Sequence, residues 1–164
     1  MSKVFNPNND PLVVISETST KQVEDKLGEI PTSFNYGNLR SVKPEVFENY
    51  KLQNKIPAAI ENYFKLPRKI TIATKTEIDR FFVYDEYEIY KDPSKDGWKM
   101  LRLKYPETGH LVTFSRVGFN KKRTQALVSM VRGCGYTCGA GLYFSLNKVN
   151  GRWKIKKYAI SWVS

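Results

Sequence analysis

Apolar residues recur along this chain with two different periods, and the change of period near His110 divides it. LVVIS, from Leu12, is a short β-branched run that predicts a buried strand. A polar stretch follows through Leu39, broken by Gly28, Pro31 and Gly37, with room for one short helix over residues 21–27. SVKPEVFENYKL, from Ser41, predicts a helix, because Pro44 suits a first turn whose N–H groups have no partner anyway. Val46, Phe47 and Tyr50 then repeat at helical spacing. Beyond Pro57, Ile60 and Phe64 share a helical face and predict a second short helix over residues 58–64. KITIAT, from Lys69, alternates as a strand does, and Thr74 or Thr76 can cap a short helix over residues 77–82 by accepting from first-turn N–H groups. VYDEYEIYKDPSKDG is acidic, tyrosine-rich and broken by Pro93 and Gly97, which predicts a surface excursion. Residues 98–105 fit a helix with Trp98, Leu101 and Tyr105 on one side.

From His110 onward the period falls to two. LVTFSRVGF, TQALVSMVR, GLYFSLNK and RWKIKKYAISWV predict an antiparallel meander, separated by NKKR, a glycine-rich cysteine loop and VNG. Asn150-Gly151 marks a type I′ hairpin, whose two central residues need positive φ. Leu142, Phe144 and Leu146 share one face of the third run. On the fourth, Trp153 and Ile155 are in one phase and Tyr158, Ile160 and Trp162 in the other, so a bulge is expected near Lys156 or Lys157. The fold class expected is therefore α+β: a curved antiparallel sheet, built on this four-stranded C-terminal meander, packed against short N-terminal helices. Residues 1–11 read as a flexible arm and residues 12–164 as one domain.

Composition narrows the classes. Apolar residues are 41% and aromatic residues 13% of the chain, which suits a folded β-containing protein and argues against disorder. No apolar run reaches the ~18 residues of a membrane helix. The start, MSKVFNPNNDP, has no basic segment followed by an apolar one, so the visible N-terminus predicts a cytoplasmic protein, with the cell envelope the alternative if a signal has been removed. The net charge of +11 is unevenly spread: residues 98–164 hold 13 Lys and Arg against Glu107 as the one acid. That asymmetry points to an anionic partner, whether nucleic acid, an acidic protein or an anionic surface; a solvated basic face is the plainer reading.

Candidate chemistry is sparse. Cys134 and Cys138 lie in GCGYTCGAG with C-x-x-x-C spacing, which is neither a zinc knuckle nor a thioredoxin-like centre, and one distant His110 cannot complete a zinc site. The pair is expected to face across a hairpin as a disulfide clasp, with two free thiols in a reducing compartment the alternative. The glycines match no phosphate loop. Ser115, Ser129 and Ser145 lack a nucleophile elbow, and spacing supports no general base among Glu77, Asp79 and Asp85. No catalytic residue, metal or cofactor is assigned. Lys121, Lys122 and Arg123 sit at a loop tip, where cations reach phosphates or acidic surfaces, with Phe119 and Tyr136 the nearest aromatic candidates. They are joined in the expected basic face by Arg152, Lys154 and Lys156. Arg116, in an apolar context, calls for a carboxylate or carbonyl partner.

The motif set SRVGFN from Ser115, TQALV from Thr124, CGxxCGAGxY from Cys134, NGRWKI from Asn150 and the final WVS resembles an uncharacterised bacterial family sharing that pattern. The resemblance covers residues 98–164 and implies no activity. The N-G-x-W ending is also similar to the last hairpin of cystatin-like α+β domains of the nuclear transport factor 2 type. That similarity implies a ligand-holding cone between curved sheet and helices. Two functions are therefore expected in order: a non-enzymatic binding domain meeting an anionic partner through its basic sheet face, or a small-molecule pocket or enzyme under the sheet with His110 and Arg116 at its rim.

Overall fold

The computed structural model describes residues 10–20 and 39–164. The expected arm up to residue 9 and the helix over residues 21–27 lie outside the described residues. In chain order the elements are β1 Leu12–Ile15, α1 Pro44–Gln53, β2 Ile70–Ala73, α2 Lys75–Phe81, α3 Glu86–Lys91, a 3-10 turn Pro93–Lys95 and α4 Gly97–Lys104. The strands β3 His110–Phe114, β4 Gly118–Phe119, β5 Gln125–Gly135, β6 Cys138–Val149 and β7 Arg152–Val163 follow.

These strands form one sheet in the order β2-β1-β3-β5-β6-β7, with β4 beside β5. The C-terminal meander is antiparallel throughout. The sheet as a whole is mixed, which corrects the all-antiparallel expectation: β1 runs parallel to both β2 and β3. The β-branched run LVVIS reports a strand but carries no information about its neighbours' direction, whereas the long connections on either side permit parallel pairing.

Local signals act where they were expected to. Asn150 and Gly151 have φ of 50° and 77° at the β6–β7 turn. Ser145 pairs with Lys157 and Leu146 with Ile155, leaving Lys156 as the extra residue of a bulge. Thr74 Oγ1 accepts from the Glu77 N–H at 3.2 Å and starts α2. Asp96, a cap that the sequence reading did not single out, accepts from the N–H groups of Trp98 and Lys99 and starts α4. The acidic segment is more ordered than an excursion, since Asp85 and Glu88 form a reciprocal capping box around α3, yet α3 buries no residue. The helix expected over residues 58–64 is absent. Its backbone donors go elsewhere: Ala58 N–H to Thr18 Oγ1 and Ile60 N–H to Ser16 O, so the segment runs beside the end of β1.

Two apolar clusters lie on one face of the sheet. Val46 and Tyr50 of α1 pack with Leu39 and Val42 onto Leu127, Tyr143 and Ala159. Ile78 of α2 and Leu101 of α4 pack onto Val13 and Ala73. The face of β6 beneath α1 thus carries Tyr143 and Ser145, while Leu142, Phe144 and Leu146 lie half-buried on the opposite face. Close approach explains the choice of residues. A Cβ on Gly118 would lie 2.5 Å from the Cα of Tyr50, so no side chain fits at that point beneath α1. Hydrogen bonds fill the gap: Tyr50 OH and Ser129 Oγ are 2.7 Å apart, and Ser129 N–H donates to Ser115 Oγ at 2.8 Å. Burial pushes the Tyr50 hydroxyl pKa up, opposed by its hydroxyl partners.

Candidate functional site

The basic turn is built by one asparagine. Asn120 is buried, and its Oδ1 accepts from the N–H groups of Thr124 and Gln125 at 2.8 and 2.9 Å while Nδ2 donates to Thr124 Oγ1. This side chain replaces ladder bonds that a tight turn would otherwise lack. Arg123 takes a left-handed conformation, φ 48°, and its backbone N–H donates to Asn120 O. Lys121, Lys122 and Arg123 all face solvent.

The Arg123 guanidinium stands 5.2 Å over the Phe119 ring. Phe119 lies 5.6 Å from Trp153, and the Lys148 ammonium stands 5.8 Å over Trp153. Cation, ring, ring, cation thus form a continuous row across β4, β6 and β7. Its register explains it: Phe119 pairs with the small Ala126, Ala126 with Leu146, and Lys148 with Trp153. Over Ala126 the two rings can lean together. Further along the same face, Phe144 and Tyr158 lie 6.4 Å apart. Tyr158 is 52% exposed, Ile155 61% and Trp153 37%.

The expected basic residues are divided by strand alternation. Arg152 and Lys154 pair with Val149 and Asn147, the phase opposite to Trp153 and Ile155, and Lys156 is the bulge residue. All three are exposed on the edge strand. Lys148 was missed by sequence reading. The signal was available, because a two-residue Asn-Gly turn places the second residue before it opposite the second after it.

Arg116 lies between β3 and β4, where Asn54 holds the backbone: Asn54 Oδ1 accepts from Arg116 N–H at 2.7 Å and Nδ2 donates to Arg116 O. The Arg116 guanidinium reaches Ile56 O at 3.5 Å, a carbonyl partner. A cleft of about 670 Å3 opens here between α1 and the basic turn, with Glu45 and Glu48 on the helix wall and Arg116, Lys121 and Arg123 opposite. His110 does not share it. It opens β3, is buried, and is separated from the strand's far end by four extended steps, about 13 Å. Burial first, then the positive charge of Arg132, pushes its imidazole pKa down.

Cys134 and Cys138 are joined as a disulfide, with Cα atoms 5.2 Å apart. They do not pair across the ladder as expected. Gly135 is the partner of Cys138, and the register shift between Gly133 and Gly135 leaves Cys134 as the inserted residue. Beside this hairpin, Trp98, Trp162 and Tyr136 wall a groove of about 420 Å3 floored by Gly133 and Gly139. Among the described residues no cluster of three or more His, Cys, Asp or Glu could hold a metal, and no helix is long and apolar enough to cross a membrane. Compared with family models, curated proteins and solved structures, the chain matches none.

Proposed function

We propose that this protein is a non-enzymatic binding domain that meets a polyanionic partner through its basic C-terminal half. The observation that carries the reading is the row Arg123, Phe119, Trp153, Lys148, in which two exposed cations flank two rings on a half-exposed sheet face. Cations held over rings keep their charge in solvent while their stems cover apolar surface, so the patch can exchange counterions for a partner's anionic groups. Lys121 and Lys122 beside the row, and Arg152, Lys154 and Lys156 along the edge strand, extend the positive field over both sides of β7.

Heparin-affinity retention of the full chain, measured from low to moderate salt, tests the reading. A polyanion surface releases the protein steeply as salt rises, and charge reversal at Lys121, Lys122 and Arg123 shortens retention more than reversal of the same number of lysines on the acidic N-terminal half. Retention indifferent to salt, with thermal stabilisation by an uncharged metabolite in its place, overturns it in favour of a small-molecule pocket.

A further inference from the structure

We infer that the polyanion is a single-stranded nucleic acid, with its bases stacked on Trp153, Tyr158 and Phe119 and its phosphates on Lys148 and Arg123. The inference rests on the polyanion reading and adds the partner's class. Charge alone would suit any anion, but charge is not what distinguishes this face. Register puts Phe119, Phe144, Lys148, Trp153, Ile155 and Tyr158 on one side of the sheet, opposite the side that α1 covers. Aromatic rings there remain substantially exposed, Tyr158 at 52% and Trp153 at 37%. Phe119 and Trp153 meet at 50° between ring planes, so this pair is not closed into a parallel stack.

A ligand that satisfies this surface needs flat π-faces and anions in alternation along one strand. An acidic peptide supplies the anions but carries flat faces only where its own aromatic residues fall. A duplex hides its faces in its own stack. Single strands present both, and sheet-borne aromatics bordered by Lys and Arg recognise them without a base-specific code. The two cations are already poised over rings, so a base that slides onto Trp153 or Phe119 displaces an ammonium or guanidinium toward the adjoining phosphate.

The test is fluorescence anisotropy of a short fluorescein-labelled oligothymidylate with the full chain, beside heparin and a duplex of the same length. Trp153→Ala and Tyr158→Ala are each expected to weaken oligothymidylate roughly tenfold, the effect of removing one stacking platform, while heparin affinity stays unchanged. Trp153→Phe keeps a ring and is expected to bind close to wild type. Lys148→Gln and Arg123→Gln are expected to flatten the dependence of log affinity on log salt by about 0.7 for each phosphate no longer neutralised. If heparin binds with a steep salt dependence but both alanine variants hold oligothymidylate as wild type does, stacking is refuted and the polyanion reading survives, with an acidic protein or anionic surface as partner. If neither oligothymidylate nor heparin binds at low salt, both are refuted. Melting curves of each variant confirm folding, and Tyr158→Ala, at the more exposed site, carries the test should Trp153→Ala prove unfolded.

Discussion

Gly118→Ala tests how the helix that walls the candidate cleft is seated. A Cβ there would lie 2.5 Å from both Cα and Cβ of Tyr50 and 2.6 Å from its backbone nitrogen. Carbon atoms rest about 3.5–4.0 Å apart, so α1 must retreat by about 1 Å. Backbone atoms cannot rotate out of the way as a side-chain tip can. A gap of that size forfeits a quarter to a half of the local dispersion attraction, and it opens beside Val46 and Tyr50, both wholly buried. It also pulls on the Phe119 N–H to Asn49 Oδ1 bond, 2.8 Å, and on the Tyr50–Ser129 bond. Overpacking of this kind costs about 1–3 kcal/mol, offset in part by the ~0.4–1 kcal/mol that replacing glycine gains through the unfolded chain. For a chain of this length, a net loss of about 1 kcal/mol lowers Tm by roughly 2–4 °C. Thermal and urea unfolding followed by circular dichroism measures it. Gly151→Ala is the control, since it meets open space and feels only the strain of φ 77°, about 1 kcal/mol. If Gly118→Ala melts at or above the wild-type temperature, α1 is not held against β4 as described.

Three further outcomes follow from the same structure. Asn120→Ala strips the acceptor from the N–H groups of Thr124 and Gln125 and is expected to cost about 1–3 kcal/mol, read as a lower urea midpoint together with faster exchange of those two amides. His110 has its imidazole pKa pushed down by burial, so the unfolded chain takes up a proton that the folded chain refuses. Its contribution is whole above the unfolded pKa of about 6.5 and declines as pH falls through it, by at most about 1.4 kcal/mol per pH unit. His110→Gln is expected to remove that part of the slope between pH 7 and pH 5, as measured by urea titrations; an unchanged slope refutes the burial argument. Reducing the Cys134–Cys138 bond releases a loop of sequence separation 4 and is expected to lower stability by about 2 kcal/mol on the chain-entropy account, seen as a drop in urea midpoint with dithiothreitol that a Cys134→Ala, Cys138→Ala double variant does not show.

The lysines of β7 also have a role that needs no partner. β7 closes the described sheet order on one side, and an open edge invites pairing with another chain. Lys154, Lys156 and Lys157, with register shifts at Lys156 and again between Gly141 and Leu142 on the neighbouring strand, discourage that pairing. The oligothymidylate and heparin experiments separate this protective role from recognition, because edge protection predicts no change in affinity when Trp153 is replaced.

Features set by near neighbours were legible in the sequence alone. Asn150-Gly151 had to make its turn because few residues tolerate positive φ, Thr74 had a helix to cap three residues on, and the phase change around Lys156 could only be absorbed by a bulge. The meander and the α+β class follow from such local facts in series. What only the tertiary structure decided is which side of the sheet α1 covers and who stands beside whom. Period two separates Leu142, Phe144 and Leu146 from Tyr143 and Ser145 but treats the two sides alike; the landing place of α1, fixed by Gly118 and the Tyr50–Ser129 bond, chose the second set for the core. The parallel partners of β1, the non-helical path of residues 58–64 and the Arg123–Phe119–Trp153–Lys148 row likewise depend on residues distant in sequence, whose meeting is set by packing.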